Sequence, residues 1–225
     1  EMVRRDPGGE WHPRPIDKFR CVLHPLAPHT WASQSRRVSV VKGLIRRVDN
    51  DTGWKLIETL LPVGHYSFMV SANFPIFRGN GKSGKPQQQT NKEIWDEYAE
   101  YCKMAIQLCG LKADRIGKLI NDALNDWVDD SFYTLVSYAT GICSKLREDI
   151  RFEVWRSIRN ALYYADLINQ KGSKKWIADR VESYKALENA YQPTDVMLRS
   201  RVLFSWRDEQ YDKKLNDCSE EDVRK

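Results

Sequence analysis

No run of apolar residues approaches the roughly 20 needed to cross a bilayer, so a spanning helix is not expected in these 225 residues. The cysteines are few and odd in number, at 21, 102, 109, 143 and 218, and no pair has C-x-x-C spacing. That disfavours a disulfide framework or a zinc knuckle and fits thiols in a reducing, cytoplasmic compartment. Histidines number four (His12, His24, His29, His65). Only His24 and His29 are close together, and Cys21 alone lies near them as a co-ligand, too few for a zinc site. No serine sits in a G-x-S-x-G setting. No β-hairpin signal interrupts the chain, and no strict period of a tetratricopeptide or ankyrin kind appears. The opening residues Glu1 to Gly9 are charged and then turn-forming, unlike a signal peptide. Met2 to Arg5 read as the end of an earlier helix and Ser219 to Lys225 as the start of another, so further sequence is expected on both sides.

What the chain does have is apolar spacing at helical period. Hydrophobic residues make up 41% and charged residues 30%, a balance suited to helices that each bury one face. Pro13 and Pro15 bias the residues before them away from α, and a short helix is expected over 16–23. Ser33 or Ser35 opens another to about Val48, with Val38, Val41, Leu44, Ile45 and Val48 on helical spacing. Asn50 or Asp51 is expected to cap a third, carrying Trp54, Leu56, Ile57, Leu60 and Leu61 up to Pro62. Residues 62–89, rich in Gly and Pro, read as one long loop. Thr90-Asn91-Lys92-Glu93 fits a capping box, opening a helix that runs to Cys109 with Gly110 just beyond. Helices follow near 113–127, 131–146, 149–170, 175–191 and 196–204. The expected fold is all-α: an irregular helical solenoid of antiparallel helix pairs, divided into an N-terminal helical segment (1–61), the loop (62–89) and a helical-repeat segment (90–225).

Each motif that suggests chemistry has a structural explanation. Gly79-Asn80-Gly81-Lys82-Ser83-Gly84-Lys85 matches G-x-x-x-x-G-K, but Pro86 stands where a P-loop needs Ser or Thr. Proline has neither the hydroxyl for Mg²⁺ nor the N–H for phosphate, so a basic loop is expected and no cofactor. The carboxylate pairs Asp129-Asp130, Glu220-Glu221 and Asp49/Asp51 fall at helix starts, where they cap and complement the macrodipole. An enzyme would need a pocket joining Asp129, His65 and Arg78, and nothing in the sequence brings those together. Charge is uneven: residues 1–90 hold 14 basic and 7 acidic side chains, whereas 91–225 hold 22 and 24. Arg36, Arg37, Lys42, Arg46 and Arg47 cluster on one helix and are the candidate partner surface, for an acidic protein or for phosphates. The alternative for them is a solvated face with one internal salt bridge. Eight tryptophans are spread about one per helix, which suits packing anchors better than a ligand cage.

Two blocks are more specific. Arg5-Asp6-Pro7-Gly8-Gly9-x-Trp11-x-x-Arg14-Pro15, Leu26-Ala27-Pro28-His29-Thr30, Arg37 and Gly53-Trp54-Lys55-Leu56-Ile57-x-x-Leu60-Leu61-Pro62 form the first. Val154-Trp155-x-x-Ile158-Arg159, Pro193-x-Asp195 and Leu203-Phe204 form the second. Together they resemble the helical-repeat, sensor-like region of very large bacterial antiviral STAND NTPases and related defence proteins. The chain departs from that pattern at Pro13, where the family favours Asn. It departs again at Trp176-Ile177-Ala178-Asp179, where a Trp-Ala-Leu-Pro-like segment is usual. The resemblance implies a non-catalytic scaffold that binds a protein ligand, a phage protein among the candidates, and neighbouring domains of the same chain. Its motif residues Asp6, Pro7, Gly8, Gly9, Arg14, Pro15, Gly53, Trp54, Pro62 and Trp155 would serve turns and packing. A nucleic-acid-binding helical domain using the basic N-terminal third is the alternative, and no membrane contact is implied.

Overall fold

The computed structural model describes residues 15–26, 28, 30, 32–62, 89–169 and 175–203, and every regular element among them is helical. The helices are α1 (Pro15–Leu23), α2 (Gln34–Ile45), α3 (Asn50–Glu58), α4 (Asn91–Cys109), α5 (Ala113–Asp126), α6 (Asp129–Ile142), α7 (Glu148–Asn169), α8 (Lys175–Tyr191) and α9 (Val196–Leu203), with a 3-10 turn at Cys143–Lys145 after α6. The chain divides into two compact units, 1–109 and 110–225. The sequence placed α4 with the helices after it, because the 62–89 segment precedes it. Its packing places it instead with α2 and α3. The motif residues Asp6 to Arg14, the P-loop-like segment and most of the 62–89 loop lie outside the described residues.

Local signals explain several helix ends. Ser33 caps α2, its side chain accepting from the Arg36 N–H. Asp49, rather than Asn50 or Asp51, caps α3: its carboxylate accepts from the Thr52 N–H at 2.8 Å and the Thr52 hydroxyl at 2.7 Å. Those bonds hold the Asp49 carboxyl below the usual range. At α4 the capping box is reciprocal. The Glu93 N–H donates to Thr90 Oγ1 at 3.2 Å, and the Thr90 N–H donates to Glu93 Oε2 at 2.8 Å. Gly110 ends α4 with φ +55°, the left-handed conformation that glycine adopts without strain.

In the first unit, α4 lies against both α2 and α3, and α1 touches α3. Val41, Ile57, Leu60, Leu61, Tyr101, Cys102, Ala105 and Cys109 make its core, with Trp54 also buried. Gly53 belongs to the first turn of α3 and not to a turn between helices. A Cβ there would meet Ile45 and Leu108 at 3.7 Å, an ordinary contact.

The second unit is built of two antiparallel pairs, α5/α6 and α7/α8, with α5 packed on α7 and α6 on α8. Asn160 reaches Asn121 at 3.4 Å across α5 and α7. The Tyr138 hydroxyl returns to the Gly110 carbonyl at 2.8 Å. Leu119, Ile120, Ala123, Leu124, Phe132, Leu135, Ile158, Leu162 and Leu187 fill the space between. Trp127 and Trp155 are buried anchors, as expected of the tryptophans. Trp95, in the first unit, is 43% exposed and is not.

At Gly117 of α5 a Cβ would clash with Ser157 Oγ of α7 and stand 3.1 Å from Ser157 Cβ. Alanine at an open helix position stabilises by about 1 kcal/mol over glycine, but here overpacking opposes it. We expect Gly117→Ala to destabilise by about 1–3 kcal/mol and Gly117→Ala combined with Ser157→Gly to recover most of that loss. Chemical denaturation of the three proteins measures it. A single variant as stable as the parent would show that the two helices separate freely.

Candidate functional site

The polar groups worth testing for chemistry are those the fold has buried. In the first unit they form one network. Arg37 falls on the inner face of α2, with Val38 and Val41, and is 2% exposed; Glu97 falls on the inner face of α4 and is fully buried. Arg37 Nε donates to Glu97 Oε1 at 2.9 Å and its Nη2 to Glu97 Oε2, a bidentate pair. Nη1 donates to the Ala32 carbonyl at 2.7 Å, just ahead of the Ser33 cap. With the Gln89 amide oriented to suit its neighbours, its oxygen accepts from Arg37 and its nitrogen donates to the Pro25 carbonyl at 2.9 Å. The guanidinium thus links α2, α4 and the segments ahead of both.

The network continues along α4. The Tyr101 hydroxyl donates to Glu97 Oε1 at 2.7 Å, with the Leu23 carbonyl 3.2 Å away as a second, longer acceptor. Burial, and then the neighbouring Glu97 charge, push the Tyr101 phenol far above its ordinary range. His24 follows the last turn of α1 and is buried. The Leu26 N–H donates to its Nδ1 at 3.3 Å, so the ring proton sits on Nε2, which faces the Tyr98 hydroxyl at 3.5 Å. Burial, reinforced by the Arg20 charge, lowers the His24 pKa from 6.5 to about 4. The ring is therefore neutral at physiological pH and holds the end of α1 onto α4.

A second buried guanidinium organises the other unit. Arg180 of α8 donates through Nη1 to the Leu124 and Ala123 carbonyls at 3.0 and 3.3 Å, and through Nη2 to the Trp127 carbonyl at 2.7 Å. Its Nη2 also meets Asp129 Oδ1 at 2.6 Å. It therefore places a cation on the carbonyl end of α5 and an ion pair at the start of α6, both favourable to the helix dipoles. Its guanidinium carbon lies 4.9 Å from the Phe132 ring centre. Tyr184 and Tyr191, on the same face of α8, donate to the Ile120 and Ala139 carbonyls at 2.7 and 2.6 Å.

The residues expected to meet a partner therefore separate. Arg37 is not surface: it is the internal salt bridge, because its position in α2 lies within the apolar stripe. Lys42 bridges Glu100 at 2.7 Å, and both are partly exposed. Arg36, Arg46 and Arg47 are exposed. Pro15 opens α1, Pro62 is buried just past α3, and Gly53, Trp54 and Trp155 are buried packing residues. Asp129 is committed to Arg180, while His65 and Arg78 lie outside the described residues, as do His12 and His29. Sequence reasoning missed Glu97, Tyr101, Arg180 and Tyr184. The signal was a polar residue falling on the apolar helical spacing of α4 and α8. Among the described residues, no group of three or more His, Cys, Asp or Glu side chains is placed to hold a metal ion, and no helix is long and apolar enough to cross a membrane.

The chain matches no protein-family profile, no curated protein and no solved structure.

Removing one partner of a buried ion pair leaves the other uncompensated, at a cost of about 3–5 kcal/mol, whereas removing both is milder. Arg37→Met and Glu97→Met should each destabilise on that scale, and the double variant should be more stable than Glu97→Met alone. Strictly additive losses in denaturant titrations would mean that the two charges do not depend on each other. His24 gives a pH effect of fixed sign. Its folded pKa is lowered to about 4 from 6.5, so between those values the unfolded chain binds the extra proton, and stability falls as pH drops through that window. His24→Gln should abolish this component, worth up to about 3 kcal/mol, while losing some stability at pH 7. Parallel pH slopes for the parent and the variant would refute it.

Proposed function

We propose that this chain is a non-catalytic helical recognition scaffold whose ligand is another protein. The observation that supports it most is how the reactive side chains are used. Arg37, Glu97, His24, Tyr101 and Arg180 are buried and spend their hydrogen bonds joining helices, while Arg36, Arg46 and Arg47 stay in water. A scaffold needs that division: polar groups inside fix the helix register, and the outer faces remain open for contact. The resemblance to sensor-like regions of bacterial antiviral STAND NTPases supplies the setting. In it the chain would be a cytoplasmic recognition segment working beside an NTPase and an effector, with a phage protein as the ligand. The nucleic-acid reading of the same basic helix is weakened, because two of its five cations have internal partners.

Two measurements test this. The open reading frame around residues 1 and 225 is expected to encode an NTPase domain upstream; its absence would remove the defence setting. The tagged chain, cross-linked in phage-infected bacteria, is expected to retain one phage protein after nuclease treatment. A yield that disappears with nuclease would transfer the function to nucleic acid.

A further inference from the structure

We infer that the outer face of α2 is a docking face for an acidic protein helix, with Gly43 as the point of closest approach. The inference rests on the recognition reading above and names its surface. Arg37, Val38 and Val41 turn α2 inward. At 100° per residue, Gly43 then lies on the side of α2 away from them, where it is part exposed. Arg36 stands seven residues before it, about 10 Å along the axis, and the exposed Arg47 lies past the end of α2, in the turn that follows the Arg46 cap. Arg46 and the exposed Val40 flank it. No residue of α2 is acidic, and Asp49, just beyond Arg47, is occupied by Thr52.

Among the described residues nothing requires glycine at position 43: its φ is not positive, and a Cβ there would meet none of them within 4 Å. Glycine is, after proline, the poorest helix former, so a position in the last turn of α2 that keeps it without a positive φ bears a loss the described residues do not require. A helix packed across the face does require it, because missing side chains let two backbones approach closely. The flanking Val40 rewards an apolar contact, which a phosphate backbone does not offer. Arginines at both ends call for carboxylates on the partner, in the usual interface arrangement of an apolar centre and a charged rim.

The test is selection of a displayed library of 20-residue helical peptides, randomised on one face, against the full chain. Enriched peptides should carry Glu or Asp toward both ends of the randomised face with small side chains between them. Their affinity should fall at least tenfold for Arg36→Glu and again for Arg47→Glu, both checked for an unchanged melting temperature. Gly43→Ala should raise the melting temperature of the free chain yet weaken peptide binding at least fivefold, a combination that simple damage to the fold does not produce. Peptides that bind the charge-reversed and Gly43→Ala variants as well as the parent would overturn this surface and leave the recognition reading standing. No enrichment at all would count against both. Duplex DNA of 20 base pairs, titrated in parallel, should bind more weakly than the best peptide; tighter binding with the same arginine dependence would overturn the protein partner.

Discussion

A guanidinium taken out of water must find acceptors for its N–H groups, and that requirement shapes both compact units. Arg37 meets it with the Glu97 carboxylate, the Ala32 carbonyl and Gln89. Arg180 meets it mainly with the carbonyls that end α5, together with Asp129. These bonds fix how helices distant in sequence are placed on one another. Apolar packing alone would tolerate a helix sliding by a turn; a bidentate ion pair and three backbone acceptors in fixed directions do not. Net stabilisation from such buried charges is small, because desolvation offsets most of the attraction. Their effect here is on register, with the free energy of folding supplied by the leucines, isoleucines and aromatics around them.

The same requirement removes several groups from chemistry. A neutral His24 bonded at both ring nitrogens, a carboxylate already accepting from Arg37 and Tyr101, and a phenol pushed far above its ordinary range are poor acids, bases or nucleophiles at neutral pH. What is left outside is a helix face with arginines at its two ends and a gap between them. The contrast between a committed interior and an uncommitted surface underlies both functional proposals.

Local features were legible in the sequence. The Thr90/Glu93 capping box, the start of α4 at Asn91, its end at Cys109 and the Lys175–Tyr191 helix are all dictated by residues within a few positions of one another. The small errors were local too: Asp49 took the cap expected of Asn50 or Asp51, and α2 stopped at Ile45 instead of near Val48. The pairing of Arg37 with Glu97 was not legible, because the partners are 60 residues apart. Arg36 and Arg37 look alike as a dipeptide, although 100° of helix turns one outward and the other into the core. Trp95 shows the converse. A large aromatic on helical spacing suggests an anchor, yet its position at the edge of the α4 stripe leaves it part exposed.

The thiols carry a consequence of a different kind. Cys21 is exposed on α1, while Cys102 and Cys109 are buried on the inner side of α4. An alkylating reagent therefore reaches Cys21 in the native protein, but reaches the other two only when α4 lifts from α2 and α3. The difference in labelling rate makes the first unit its own gauge of opening, read out by mass without any added probe.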